Sequence, residues 1–552
     1  MSMLLRASSA TAAPRKSFLN VRLLVFMAAT LALLIGATAK PVDLAVIGCD
    51  AFGYSQQGQL FRENGLVRGL DTRIKAEEAK FIVAIAKKIT LDSRLWSTAV
   101  APACHHYNPA VDAVILQYPP GTGLILSLFP ENPSLNFALI VGRSLASAAF
   151  VIAVAMTAPE AGAAALAFSL LIFVQLTIHY RGATGSPSIP ITLSIIPLSV
   201  LLTLLAFRPS NKRASPGLAI LLGLTSGLLV ATRLANVLAL TGLVCAIVVN
   251  RALWRPAMAR RTSWAIAVAL VGFAATGGAL LASADWINAG SPFATTYGAG
   301  DAALPVFSIE LFGSNLLYYL TDAETAFATP VALAALFATV LILWRASKRN
   351  LHDRGATIGA FFCYFVSLAY FCTHTIRIPY YMLPASIMTL CLLLFDFLQA
   401  SPPERLPEPT IFRLSWLVAP FLIFIGIRFA FVEPANHNTV TPDEVRAPES
   451  IVWASGASGT LYYHQNKYAA ALGASDACIQ ERLVREVAAR GRPQYFIEDS
   501  PGVSAMIRRL SKSFAMERAG VFENYFFGQL PIWKIAANTP WEGSHCSGTD
   551  DR

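Results

Sequence analysis

Long runs of apolar residues, separated by short polar segments, dominate the chain as far as about residue 431. A helix needs about 20 consecutive apolar residues to cross a bilayer. Runs of this order occur at 21–39, 137–157, 161–180, 188–207, 263–283, 330–344, 355–371, 379–398 and 411–431. Each of these runs predicts a membrane-spanning helix.

A further apolar stretch, at 217–250, is too long for one ordinary span, and the sequence TRLAN interrupts it near the middle. Basic clusters flank the stretch on both sides: Arg208, Lys212 and Arg213 precede it, and Arg251, Arg255, Arg260 and Arg261 follow it. Lys and Arg collect in the cytoplasmic loops of membrane proteins. If both clusters are cytoplasmic, the chain crosses twice here with Arg233 at an outer turn, which gives about eleven spans in total.

The placement of charge also predicts the topology. Basic residues put the segment 1–20 in the cytoplasm, and a transmembrane domain over 21–431 follows it. An odd number of spans puts the C-terminal segment, 432–552, outside the cytoplasm, together with a long loop at 40–120 that is called the first loop below. The step Ala37-Thr38-Ala39 also fits cleavage of a signal peptide. The first loop is extracytoplasmic under either interpretation.

The composition agrees with an α-helical polytopic protein of the cell's inner (plasma) membrane. Of the 552 residues, 55% are hydrophobic and 14% are charged, and the mean hydropathy is +0.53. Soluble domains carry about a quarter charged residues. The formal net charge of +10 would suit a nucleic-acid partner, but the basic residues gather between the apolar runs. We therefore attribute the charge to membrane topology and expect no nucleic-acid partner.

Two helices are predicted in the first loop. The stretch IGCDAFGYSQQGQLFRENG places Asp50 as the N-cap of a helix and Gly65 at its end. Further along, RIKAEEAKFIVAIAKKI carries isoleucines and a phenylalanine on one face and lysines elsewhere. Such a helix is predicted to lie flat in the membrane interface, near anionic lipid head groups. A helix that covers the top of the bundle would show the same pattern.

Three motifs follow one another along the chain: Asp50 and Tyr54 in DAFGY, YPPG at 118–121, and TRLAN at 232–236. Their order and sidedness resemble the polyprenyl-phosphate-sugar-dependent glycosyltransferases of the GT-C fold, similar to glycosyltransferase family 39. Members include the protein O-mannosyltransferases and the aminoarabinose transferase of lipid A. The resemblance covers about residues 22–400. It departs from the family at Ala51, where many members carry a second acid beside the aspartate.

In this family an acceptor hydroxyl attacks the anomeric carbon of a lipid-linked sugar with inversion, and the lipid phosphate leaves. The resemblance implies that Asp50 is the catalytic base and that Arg233 or Arg377 supplies positive charge at the phosphate. Asp50 would equally serve as a helix cap, and arginines at helix ends commonly reach towards lipid head groups. Substrate contacts are predicted for Tyr54, Tyr118, Tyr297, His105 and His106.

The predicted partners are a polyprenyl-phosphate-linked sugar, a lipid, glycan or protein acceptor, and membrane lipids. The sequence requires no cofactor; a divalent metal stays open, since the adjacent His105 and His106 would suit a metal as well as a plain loop. A multi-pass transporter and a non-catalytic cell-envelope assembly protein are the rival functions. Transporters of this size tend to contain internal repeats, and the sequence contains no convincing one.

The segment 432–552 changes from long apolar runs to alternating strand and helix signals. ESIVWAS and PQYFIED are predicted as strands, IQERLVREVAARG and VSAMIRRLSKSFAMERAG as helices, and VFENYFFGQLPIWKIA as a hairpin. This alternation predicts an α/β domain, which either caps the active site or is only structural. Among the cysteines outside the predicted spans, Cys49 with Cys104 and Cys478 with Cys546 are hypothetical disulfide pairs.

Overall fold

The computed structural model describes residues 48–129, 186–207, 215–296, 307–321, 355–400, 439–472, 476–524 and 527–536. Within these residues, three helices are long and apolar enough to cross a membrane: Ser188–Ala206, Met258–Ala289 and Gly355–Thr373. They coincide with the predicted spans at 188–207, 263–283 and 355–371. The predicted spans at 21–39, 137–157, 161–180, 330–344 and 411–431 lie outside the described residues, so the total of eleven stays a prediction.

The described helices before the C-terminal domain are α1 (Gly48–Arg68), α2 (Glu77–Ile89), α3 (Gly121–Ser127), α4 (Ser188–Ala206), α5 (Pro216–Thr232), α6 (Asn236–Val249), α7 (Pro256–Phe273), α8 (Ala279–Ala289), α9 (Phe312–Thr321), α10 (Gly355–Thr373) and α11 (Leu383–Ala400). A π-helical turn at Ala274–Gly278 joins α7 to α8, so the helix continues to Ala289. The apolar stretch at 217–250 forms α5 and α6, which separate at Arg233. This break confirms the division of the stretch into two helices.

Small residues let the helices of the membrane domain pack closely. A β carbon at Gly223 of α5 would overlap the backbone of Ala269 in α7, and one at Gly359 of α10 would overlap the backbone of α6 at Gly242. Small residues at such contacts are typical of helices packed in a membrane. Helices α4, α5, α6, α10 and α11 contribute to one apolar core. The described helices of the membrane domain therefore form a tightly packed bundle.

In the first loop, α1 begins two residues before Asp50, so that Asp50 lies inside the first turn. The prediction of Asp50 as the N-cap is wrong, although an acid in this turn still interacts favourably with the helix dipole. Gly65 interrupts the helix with a φ of 73°, and one further turn continues to Arg68. An antiparallel hairpin follows, formed by β1 (His105–Asn108) and β2 (Ala113–Leu116).

The apolar face of α2 does not face lipid. Ile82 and Ile85 are buried, and they share one core with Trp453, Leu483 and Phe496 of the C-terminal domain. The prediction of an interface helix was therefore wrong about what covers this face. The alternative prediction, a helix that covers the top of the helix bundle, did not include the C-terminal domain as the packing partner of this face either. The pattern required burial of one face, and the C-terminal domain provides it.

The C-terminal domain is a mixed α/β layer. Its elements are α12 (Asp443–Arg446), β3 (Ile451–Ala454), α13 (Ala457–Gln465), β4 (Ala469–Ala471), α14 (Ala477–Ala488), β5 (Gln494–Ile497), α15 (Pro501–Leu510), β6 (Met516–Asn524) and β7 (Gly528–Ile535). The strand order is β4-β3-β5-β7-β6, with β3 parallel to β4 and β5 and with the other pairs antiparallel. The predicted α/β character, both predicted strands and the closing hairpin are confirmed.

Two details of this domain differ from the prediction. The second predicted helix ends at Leu510, and the residues from Met516 onward form β6. A turn at 511–514 separates the two elements, because this polar stretch breaks the apolar periodicity on which the helix depended. Strand β4, built from alanines, was not predicted at all.

Candidate active site

The carboxylate of Asp50 lies against Tyr118. The Tyr118 hydroxyl donates a hydrogen bond to Asp50 Oδ1, and the Tyr118 ring stacks on Tyr54 with the ring centroids 4.4 Å apart. Both tyrosines are buried, whereas Asp50 is half-buried. Three predicted site residues thus lie together: the Tyr118 hydroxyl holds one oxygen of the carboxylate, and Tyr54 packs on the Tyr118 ring.

A disulfide joins Cys49 to Cys104, with their Cα atoms 5.4 Å apart. This confirms the first hypothetical pair, whereas Cys546 of the second pair lies outside the described residues. Possible ligand atoms of Cys49, Asp50 and Cys104 lie within 4.8 Å of one another. Metals bind the thiolate form of cysteine, which a disulfide removes. In this arrangement Asp50 alone of the three keeps a metal-binding group.

The YPPG segment connects Asp50 to the turn that carries Arg233. A β carbon at Gly121 would lie 2.6 Å from the carbonyl oxygen of Ala231, so only glycine permits this approach. The hydroxyl of Thr122 donates to the carbonyl oxygen of Thr232 at 3.0 Å. One end of the segment therefore contacts Asp50 through Tyr118, and the other end packs on the last residues of α5.

Arg233 follows α5 in an extended conformation and is 7% exposed. Its guanidinium carbon lies 4.5 Å from the centre of the Tyr381 ring and 5.7 Å from that of Tyr380, distances at which a cation is attracted by an aromatic face. Asn236 stabilises the break between the two helices by donating to the carbonyl oxygen of Leu229 at 2.7 Å. The local fold thus places a cation at a buried helix end.

Tyr380 is a neighbour of Arg233 in this site, with the centre of its ring 5.7 Å from the guanidinium carbon. In the segment HTIRIPYYMLP, Arg377 was predicted as a site residue and the tyrosines that follow it were not. The signal that was available is the pair Tyr380-Tyr381 at the start of a predicted span, where polar groups are expected to face a polar cavity.

The other predicted residues lie elsewhere. Arg377 is exposed, and its guanidinium carbon lies 5.6 Å from the centre of the Tyr318 ring. His105 and His106 lie in β1, where burial lowers the pKa of each to about 4. His105 stacks on Phe52, and its Nδ1–H donates a hydrogen bond to the carbonyl oxygen of Ala103 at 3.1 Å. Tyr297 lies outside the described residues.

No family model matches the chain, and no curated protein matches it. Among solved structures, it is similar to ArnT from Cupriavidus metallidurans in the apo state, with a TM-score of 0.50 and 12% identity over 93% of this chain and 97% of that one. ArnT bound to undecaprenyl phosphate gives a TM-score of 0.49 and 11% identity over 94% and 99% of the two chains. The oligosaccharyltransferase of Archaeoglobus fulgidus, in complex with Zn and sulfate, gives 0.46 and 11% over 91% and 72%.

The likeness to apo ArnT extends over nearly the full length of both chains. At this identity it shows a fold shared with apo ArnT, which agrees with the fold that the sequence motifs predict. The membrane domain and the C-terminal domain are both included in the match, because 93% of this chain is covered.

Proposed function

We propose that this protein is a membrane glycosyltransferase that moves a sugar from a polyprenyl-phosphate donor to an acceptor hydroxyl on the extracytoplasmic face of the membrane, with inversion. The observation that carries the proposal is the set of contacts that links a carboxylate to a buried arginine: Tyr118 donates to Asp50, and the adjoining Gly121 and Thr122 pack on the end of α5, which Arg233 follows. ArnT, whose apo structure shares this fold, has also been crystallised with undecaprenyl phosphate, which supports a donor of that class.

In the proposed reaction Asp50 takes the proton of the acceptor hydroxyl while the hydroxyl oxygen attacks the anomeric carbon of the sugar. A carboxylate at hydrogen-bond distance suits this role. Tyr118 occupies Asp50 Oδ1, so Oδ2 is the atom that we assign to the proton. The bond between the anomeric carbon and the phosphate oxygen breaks, and polyprenyl phosphate leaves with the electron pair.

Negative charge grows on the phosphate as this bond breaks, and a positioned cation stabilises it. Arg233 is the better placed of the two predicted arginines, since it is buried and its guanidinium lies over the rings of Tyr380 and Tyr381. A guanidinium offers several donors in a planar fork and keeps its charge at any physiological pH. We therefore assign the phosphate to Arg233, with Arg377 as the more exposed alternative.

The Asp50→Asn variant tests the proposal. Asparagine can still accept the hydrogen bond from Tyr118, but it cannot take a proton from a hydroxyl. General-base contributions are about 10²- to 10⁴-fold, so we expect polyprenyl phosphate release to slow by about that factor with thermal stability near that of the wild type. The measurement is the release of polyprenyl phosphate from a panel of polyprenyl-phosphate sugars by the full chain in lipid nanodiscs, with membrane extract as the acceptor source.

Asp112→Asn is the matched control, because Asp112 forms an ion pair with Lys87 at 2.6 Å and accepts from Tyr107 at 2.7 Å. It should transfer at the wild-type rate. A fully active Asp50→Asn protein would remove Asp50 from the reaction. A wild-type protein that releases no polyprenyl phosphate from any donor would favour the non-catalytic or transport functions.

A further inference from the structure

Phe52, two residues after Asp50, packs directly against helix α13 of the C-terminal domain. The Phe52 side chain is fully buried, and a β carbon added at Gly459 of α13 would overlap its ring. Glycine is therefore the residue that allows α13 to approach the first turn of α1 so closely.

The neighbouring residue of α13 contacts the other side of the disulfide. The backbone N–H of Ala103 donates to Ser458 Oγ at 2.8 Å, and Ser458 Oγ donates in turn to the carbonyl oxygen of Ser455 at 2.6 Å. Ala103 directly precedes Cys104, which the disulfide joins to Cys49. Consecutive residues of α13 thus touch both of the segments that meet beside Asp50.

We propose that Ser458 and Gly459 are positioning residues for Asp50, so that the C-terminal domain sets the geometry of the catalytic carboxylate. This inference rests on the proposed function. Asp50 lies in the first turn of α1, and the first turn of a helix has backbone groups without partners inside the helix. Such a turn needs external support, which the disulfide gives at Cys49 and α13 gives at Phe52.

Loss of the contacts that α13 makes beside Asp50 should slow the chemical step more than it weakens binding of the donor. A displacement of about 1 Å of a catalytic group can cost about 100-fold in rate. The phosphate side of the site lies at the other end of the YPPG segment, where the position of Arg233 depends on the break between α5 and α6 and on Tyr380 and Tyr381. A change at α13 should therefore lower kcat and leave the KM for the donor nearly unchanged.

Gly459→Ala is the first test. The new methyl group must displace the ring of Phe52, and we expect kcat for polyprenyl phosphate release to fall about 10- to 100-fold while the donor KM stays within about twofold of the wild type. Gly313→Ala is the matched control, since a β carbon at Gly313 in α9 would meet nothing within 4 Å. Adding Phe52→Leu to Gly459→Ala should recover most of the lost rate, because the smaller side chain makes room for the methyl group.

Ser458→Ala is the second test, and it decides the matter if Gly459→Ala does not fold. It removes the acceptor of the Ala103 N–H and should lower kcat about 3- to 10-fold, with binding of undecaprenyl phosphate unchanged. Wild-type kcat in both variants, or a parallel loss of undecaprenyl phosphate binding, would overturn the inference. Failure of the proposed function looks different, because the wild-type protein itself would then release no polyprenyl phosphate.

Discussion

Arg233 and Arg377 have the same charge and both lie beside apolar helices, but their surroundings differ. Arg233 is 7% exposed and lies over two tyrosine rings. Arg377 is exposed and lies over Tyr318 alone among the ring contacts described. Because a charge-assisted hydrogen bond strengthens when water is excluded, a phosphate held by Arg233 gains more than one held at the surface.

We expect Arg233→Ala to weaken the binding of undecaprenyl phosphate about 10- to 100-fold, since a hydrogen bond to a charged group contributes about 1.5–3 kcal/mol. Arg377→Ala, the matched control, should weaken it less than about threefold. Titration of the purified full chain with undecaprenyl phosphate, followed by intrinsic tryptophan fluorescence, gives both values. Equal losses in the two variants would place both arginines at the phosphate.

Among single residues, the sequence predicts a functional role where the neighbouring residues form a recognisable motif. Asp50, Tyr118 and Arg233 stand in short motifs. The structure pairs Tyr118 with Asp50 and packs the end of the Tyr118 segment on the last residues of α5, just before Arg233. Tyr380 was missed because its contact with Arg233 joins residues that are distant in sequence, and no local pattern encodes such a contact. The cap assignment of Asp50 failed for a smaller reason, since the first helical residue lies two positions earlier.

At the scale of elements, α2 shows what an amphipathic pattern determines. The spacing of its apolar residues requires that one face be buried, and Ile82 and Ile85 are buried as required. The same spacing suits lipid, a helix bundle or a second domain. The partner is a core more than 350 residues further along the chain, and the helix itself carries no information about it.

Ile82→Ala tests the packing of α2. Removal of a buried isoleucine side chain to its β carbon costs about 2–5 kcal/mol, so we expect a clearly lower melting temperature of the full chain. Leu91→Ala is the control, because Leu91 is 92% exposed and surface changes usually stay within about 0.5 kcal/mol. Scanning calorimetry or tryptophan fluorescence on heating measures both. Normal stability of Ile82→Ala together with weaker binding to anionic vesicles would instead support the prediction that α2 lies in the membrane interface.

The long helices were predictable because membrane burial imposes a simple rule on about 20 residues at once. The C-terminal elements were harder, since each depends on a few residues and on neighbours in the sheet. Strand β4 consists of Ala469–Ala471, and alanine favours no strand by itself. It becomes a strand because β3 lies beside it and because the backbone N–H of Ala471 donates to the carbonyl oxygen of Ala101 in the first loop.

At the scale of the whole molecule, the first loop and the C-terminal domain share one core. Lys467 is 3% exposed and lies 3.5 Å from Glu78 across the contact, and Tyr468 donates to the carbonyl oxygen of Val100. His105 lies at the same contact, with its ring at 6.2 Å from that of Tyr462 and stacked on Phe52. A change in the charge of a residue at this contact should therefore change the stability of the first loop and of the C-terminal domain together.

The two histidines of β1 predict a loss of stability in acid. Burial lowers the pKa of His105 and His106 to about 4, against about 6.5 in an unfolded chain. The unfolded form binds protons first, so stability does not change with these groups above about pH 6.5 and falls as the pH drops from 6.5 to 4. Each histidine should cost about 3 kcal/mol at pH 4.

Melting temperatures of the full chain between pH 7.5 and about pH 4 measure this effect. The double variant His105→Phe and His106→Leu places apolar side chains that do not titrate in both positions. Its melting temperature should depend less on pH over this range. A variant that loses stability as steeply as the wild type would show that other groups control the acid response.

The shared core also has a consequence for how the chain is made. Ribosomes add about 5–20 residues per second, and the C-terminal residues that share a core with α2 begin at Ile451, long after Ile89 has been synthesised. The apolar face of α2 is therefore synthesised roughly 20–70 s before the C-terminal residues that cover it. During that interval the nascent protein carries an uncovered apolar surface, which is the kind of surface that chaperones bind and that promotes aggregation.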